Sequence, residues 1–129
     1  MATNQFINVP VSMPDHAQHL RLISNAVNNT LDGKINSTGD VTLTASATST
    51  TLTDKRIGLN SVIVLVPTNA NSNSAKANLY VSAKDDGSAT LTHSSSSNTD
   101  QTFDYVVIGW LYKYQKKIYI LFGTKLSLW

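Results

Sequence analysis

Three histidines, a pair of adjacent aspartates and a run of four serines are the residues here whose types could do chemistry. His16 and His19 stand three apart, a spacing that lets two imidazoles share a ligand on one helix face, and His93 lies far along the chain. A zinc site needs three or four protein groups in defined geometry, and the chain has no cysteine to complete one. Asp85-Asp86-Gly87 places two carboxylates on a tight turn, as a calcium loop does, but the further oxygen ligands are missing. Flanked by strand patterns, Asp-Asp-Gly instead reads as a hairpin turn. The serines at 94–97 have no local base partner and no nucleophile-elbow glycines, so they read as a loop tip. Glycoside hydrolysis wants a paired carboxylic acid and carboxylate, yet all eight acidic residues are Asp, scattered through turn-like sequence. There is no phosphate-binding glycine loop. These patterns predict no catalytic residue, no metal and no cofactor.

The elements that would carry these residues are mostly strands. VTLTA (41–45) and TTLTD (50–54) alternate apolar with polar residues; SVIVLVPT (61–68) is a denser apolar run closed by proline. ANLYVSA (77–83), SATLTH (88–93) and TFDYVVIG (102–109) follow. Period-two alternation sends one set of side chains to a core and the other to solvent. Turn chemistry fills the gaps at Thr38-Gly39-Asp40, Asn69 to Ser74, Asp85 to Gly87 and Ser94 to Asp100. The fold class expected is mainly β, a compact antiparallel sandwich or barrel with one N-terminal α-helix.

That helix follows an extended arm, residues 1–11, in which Pro10 opposes helix formation. Ser12 is the expected N-cap with Asp15 at N3, and Gly33 the C-terminal stop. Leu20, Ile23, Val27 and Leu31 share one face with His16, while Ser24, Asn25, Asn28 and Asn29 point elsewhere. So short a helix needs a surface to lie on. Two surfaces are compatible with the stripe: the chain's own β module, or a self-associating bundle around a symmetry axis. In a bundle, stacked copies of His16 would make assembly sensitive to pH.

Composition sets outer limits. At 129 residues the chain is one domain with an appendage, large enough to bury about two-thirds of its unfolded surface. Hydrophobic content of 41% against 14% charged argues against disorder. Thirty Ser and Thr residues with no Glu suit a loop-rich β protein. No secretory signal is visible, no apolar stretch nears the ~20 residues of a membrane span, and the expected site of synthesis is a cytoplasm.

The organisation expected is an arm and helix (1–33), a β module (34–109) and an apolar, basic C-terminal hairpin (110–129). The last carries Lys113, Lys116, Lys117 and Lys125, and no acid follows Asp104. Lysines among aromatics could track a nucleic acid, but the apolar side chains of IYILF need burial, so no nucleic-acid partner is expected. Left exposed, IYILF would aggregate, so the segment is expected to pair within the same domain or to form an interface with a neighbouring subunit. Trp110, Tyr112, Tyr114, Ile118, Ile120 and Phe122 therefore form the expected docking interface, since acid-free aromatic segments suit the buried centre of an interface.

LDGKINSTGDVTLTASATSTTLTD, RIGLNSVIVLVPT and DGSATLTHSSSSNTDQTFDYVVIG, in this order and with RLISNAVNNTLDGK leading in, resemble a small β module of tailed-bacteriophage virion proteins. The resemblance spans roughly residues 14–109, and relatives of that kind end near the equivalent of YVVIG. It implies a non-enzymatic piece of the particle exterior: a homotrimeric capsid decoration (cement) or head-fibre protein, located in the virion. Its partners would be itself and the major capsid protein or another virion protein. Self-association would use Leu20, Ile23, Val27 and Leu31. The alternative implied is a tail-associated fibre or adhesin meeting the host surface through Asn69 to Ser74 and Ser94 to Asp100.

Overall fold

The computed structural model describes residues 6 and 8–109 of the 129. Six strands form two three-stranded antiparallel sheets that pack face to face. β1 (Thr38–Thr42), β6 (Thr102–Ile108) and β3 (Val62–Pro67) make one sheet in the order β1-β6-β3. The other is β2-β5-β4, from β2 (Ser49–Thr53), β5 (Ser88–Thr92) and β4 (Tyr80–Asp85). The arrangement is a sandwich and not a closed barrel. Alternation places Leu52, Ala89, Leu91, Phe103, Tyr105 and Val107 inward, where Ile57, Val41 and Leu43 complete the buried core. Partly buried Ile63, Leu65, Leu79 and Val81 close it from the strands β3 and β4 and the segment before β4.

Three sequence expectations change. Thr38-Gly39-Asp40 is not a turn but the first half of β1, in register with Tyr105 and its neighbours on β6. Glycine is needed there for space, because a Cβ on Gly39 would lie 2.5 Å from the Tyr105 hydroxyl oxygen. Asn69 to Ser74 is not an irregular loop. It opens α2 (Ala70–Ala75), with Asn69 as N-cap in a reciprocal capping box with Ser72. Buried Ser72 also accepts from the N–H groups of Thr68 and Asn69 (both 3.0 Å), which suspends the helix from the end of β3. The Asp85-Asp86-Gly87 turn does join β4 to β5, with Gly87 at φ +86°, and its tip docks on the 54–57 loop through Gly87 N–H to Ile57 O (2.9 Å).

The long helix, α1 (His16–Leu31), begins three residues later than expected. Proline disfavours helical backbone in the residue before it, so Pro14 holds Met13 extended and leaves Asp15, not Ser12, as N-cap. The Asp15 carboxylate accepts from Gln18 N–H at 3.0 Å. The C-terminus is as expected. Gly33 takes φ +76°, its N–H bonds Thr30 O (3.0 Å) and that of Lys34 bonds Asn29 O (2.8 Å), the double closure of a Schellman motif.

Candidate assembly surfaces

α1 buries none of its residues on the β module. Its partly covered positions are His19, Leu22, Ala26 and Asn29, spaced 3, 4 and 3, and the N-terminal arm covers them. Phe6, Val9 and Pro10 line a cleft of about 720 Å³ with Leu22, Ala26 and Asn29. Backbone groups of Phe6 exchange hydrogen bonds with the Asn36 side chain, and the His19 ring nitrogen Nε2 donates to Pro10 O at 2.7 Å. The arm therefore serves as the helix's own partner, but on one side only. Leu20, Ile23, Val27 and Leu31 are left 64%, 40%, 53% and 80% exposed, with His16 also exposed. Of the two surfaces compatible with this stripe, the chain's own β module is not the one that covers it.

A largely buried ionic cluster ties the segment that leads from this helix into β1 to the sandwich. Arg56 donates from Nε to Asp54 Oδ1 (2.8 Å) and from Nη2 to Asp54 Oδ2, and its own backbone N–H reaches Asp54 Oδ1 at 2.9 Å. The remaining guanidinium donors meet Asn36 O (2.8 Å) and Thr38 O (3.1 Å), the two carbonyls that bracket the entry into β1. Tyr105 Oη donates to Asp54 Oδ2 at 2.7 Å. Burial alone would raise the Asp54 carboxyl, but the hydrogen bonds from Arg56 and Tyr105 outweigh it and hold the group down at about 2. Burial, followed by the bond to Asp54, pushes the Tyr105 hydroxyl up to about 12. Arg56 is held above its ordinary value by its hydrogen bonds to the same carboxylate. Each guanidinium nitrogen and the Tyr105 hydroxyl has an acceptor within the protein. Such an arrangement can clamp a chain segment.

His93 is also part of the interior. Only 4% exposed, its Nδ1–H donates to Ser94 O (3.0 Å), since a carbonyl can only accept. Nε2 is thereby the acceptor for the Thr50 hydroxyl (2.8 Å), which itself accepts from Thr44 N–H (2.8 Å). His93 lies in the module core and His16 and His19 on α1. Among the described residues no three His, Cys, Asp or Glu come together as a metal would require, and no helix is long and apolar enough to cross a membrane.

The two outer faces of the sandwich differ sharply. On β2-β5-β4 the outward residues include Ser49, Thr51, Thr53, Ser88, Thr90, Thr92 and Tyr80, with Ala83 and Asp85 among them, a face rich in hydroxyl groups. On β1-β6-β3 they are the apolar Val62, Val64, Val66, Val106 and Ile108 of β3 and β6, with Asp40 and Asp104 opposite each other in register and Thr38, Thr42 and Thr102 completing the polar side. Val62, Val66 and Ile108 are each more than half exposed. Sequence reasoning overlooked this second apolar surface. Its signal was present in VIVLVP, where both parities of the strand are apolar; an antiparallel strand with that pattern has a partner on each face.

The two polar loops named from sequence do meet. Asn71 Nδ2 donates to the Asp100 carboxylate (2.8 and 3.0 Å) and Asn69 Nδ2 to Asp100 O (2.6 Å). Tyr80, 59% exposed, lines a separate shallow depression with Asn78, Thr92 and Ser94. The expected docking residues Trp110, Tyr112, Tyr114, Ile118, Ile120 and Phe122 lie outside the described residues. No family model matches this chain, and no curated protein or solved structure matches it.

Proposed function

We propose that this protein is a non-enzymatic structural component of a tailed-phage virion, a homotrimeric capsid decoration or head-fibre protein. The observation that carries the self-associating part is the open stripe of Leu20, Ile23, Val27 and Leu31 on a helix whose opposite side its own arm covers. A row of four large apolar side chains in water favours association with identical rows around an axis. Placement in a virion rests on the resemblance of residues 14–109 to phage β modules. In this reading the helix bundle links three sandwiches, so modest contacts from each to a shell add into a durable attachment. The hydroxyl-lined sheet suits the solvent side.

A tail-associated adhesin is the second reading. It is favoured by the joining of the two polar loops through Asn71 and Asp100, and by the exposed Tyr80 ring in a depression with Asn78, Thr92 and Ser94, since an aromatic face flanked by polar groups is what a sugar ligand needs.

Immunogold electron microscopy of particles from the source, with antibody raised against the recombinant protein, tests the placement. Gold over the capsid is the expected result; gold confined to the tail would replace it with the adhesin reading, and unlabelled particles would remove the virion from the account.

A further inference from the structure

We infer that the outer face of the β2-β5-β4 sheet, with Tyr80 at one corner, is a binding surface for a neutral polysaccharide chain. Register sets its hydroxyls in ranks: Ser49 stands beside Thr92, Thr51 beside Thr90 and Thr53 beside Ser88. These rungs repeat at about 6.8 Å along the strands and about 4.8 Å between them. β4 adds Tyr80 beside Thr92 and Asp85 beside Ser88, and a bulge at Ser82 brings Ala83 opposite Thr90. Thr92 Oγ1 donates to Ser82 Oγ (2.8 Å), which donates to Thr90 O (3.2 Å). Among the described residues the hydroxyls of Thr51, Thr53 and Thr90 bond no protein group. A hydroxyl both donates and accepts and turns to suit its partner, as the hydroxyls of a sugar do.

Strand propensity does not explain these hydroxyls, because valine suits such positions as well and the other sheet uses it at Val62, Val64 and Val66. Solubility does not explain them either. A sheet face kept soluble for its own sake carries charges of both signs, whereas the one charged outward side chain of these three strands is Asp85, at a corner. Lys84 turns the other way and donates to Ser61 O at 2.7 Å. Tyr80 is unusual in a different respect. The module's other aromatic rings, Phe103 and Tyr105, are 0% and 2% exposed, yet Tyr80 is 59% exposed and shares a depression of about 410 Å³ with Asn78 and Ser94. An exposed ring is a platform for the apolar face of a sugar, with the Asn78 amide and the hydroxyls to meet its polar rim. The ranks run on from Tyr80 for about 14 Å, a length that suits a chain of sugars better than a single one. The lone carboxylate and the lack of a cation on the face select a neutral chain over an acidic one. The sugar ligand is that of the adhesin reading, on which this site rests for the class of ligand and not for a place on the tail.

The full-length protein is applied to a printed array of purified bacterial polysaccharides, neutral and acidic, and its affinity for a neutral one is then measured by titration calorimetry. Binding to at least one neutral polysaccharide is expected. Tyr80→Ala should weaken it roughly 10-fold or more, and Thr51→Val combined with Thr90→Val, which keeps shape and strand propensity, roughly 3- to 10-fold. Val64→Thr, on the opposite face of the sandwich, should leave it unchanged. Urea midpoints establish that each variant is folded. No binding to any neutral polysaccharide, binding to acidic ones alone, or an affinity unmoved in both Tyr80→Ala and the double valine variant would each overturn the site. Gold over the capsid together with neutral-polysaccharide binding keeps the site and removes the tail placement. Gold on the tail without such binding keeps the placement and overturns the site.

Discussion

Gly39 and Tyr105 are register partners on β1 and β6, and the tyrosine ring occupies the space where a side chain on residue 39 would stand. The contact lets the hydroxyl reach Asp54 Oδ2 at 2.7 Å, so one missing methyl group on β1 permits the cluster that clamps the entry into β1. Gly39→Ala should therefore overpack the site and cost about 1–3 kcal/mol, read as a lowered midpoint in urea with an unchanged slope. Tyr105→Phe keeps the packing and leaves Asp54 one donor short; a loss of about 1–2 kcal/mol is expected. A Gly39→Ala variant as stable as the parent would show that the ring moves aside freely.

Arg56 is expected to be irreplaceable by lysine. Its planar fork serves Asp54 and two backbone carbonyls at once, which a single ammonium cannot do. Arg56→Lys should cost about 2–3 kcal/mol, and Arg56→Gln about 3 kcal/mol or more, because the Asp54 carboxylate is left buried without its cation. Parallel urea titrations of the two variants measure this. Equal stability of Arg56→Lys and parent would mean the carbonyl contacts contribute nothing.

The same cluster sets the pH limits of the fold. Asp54 titrates at about 2 in the folded chain against an ordinary 3.8, so its contribution is present above pH 3.8 and is lost as pH falls toward 2. The amount is on the order of 2 kcal/mol. Tyr105 runs the other way: raised from 10.0 to about 12, it stabilises the fold below pH 10 and withdraws that contribution as pH rises through 12. Thermal melts across pH 2–12 should fall at both ends, and Tyr105→Phe should remove the part of the alkaline fall that Tyr105 causes. An alkaline limb identical in that variant would assign the loss to other groups.

Ile23→Asp puts a charge in the middle of the exposed stripe. The expected outcome by light scattering is loss of the oligomer with a folded β module, since α1 contributes no buried residue to the core. A variant that stays fully oligomeric would show that α1 is not the self-association surface.

The strands were legible because their alternation is simple: TTLTD and SATLTH each put buried residues in one parity, and β2 and β5 fall on them within a residue. What escaped depended on distant partners. Thr38-Gly39-Asp40 has the composition of a turn, and only Tyr105, more than sixty residues later, explains a glycine inside a strand. Asn69 to Ser74 has loop composition too, and becomes helical because Ser72 is buried against Thr68 and Asn69. The clamp of Asp54, Arg56 and Tyr105 joins residues that no local pattern connects. The helix stripe could be read directly, yet what it faces could not, because the arm takes the opposite side through single contacts such as His19 to Pro10.

If α1 self-associates as proposed, its one-sided covering by the arm would limit how far assembly could proceed. A rod that is sticky all round accepts neighbours in every direction and grows into fibres or lattices. In the proposed bundle, with Leu22 and Ala26 screened by Phe6, Val9 and Pro10, α1 would offer one apolar seam, and copies meeting along it would close on a common axis. The arm is in this sense a terminator, built into the chain and delivered with every copy.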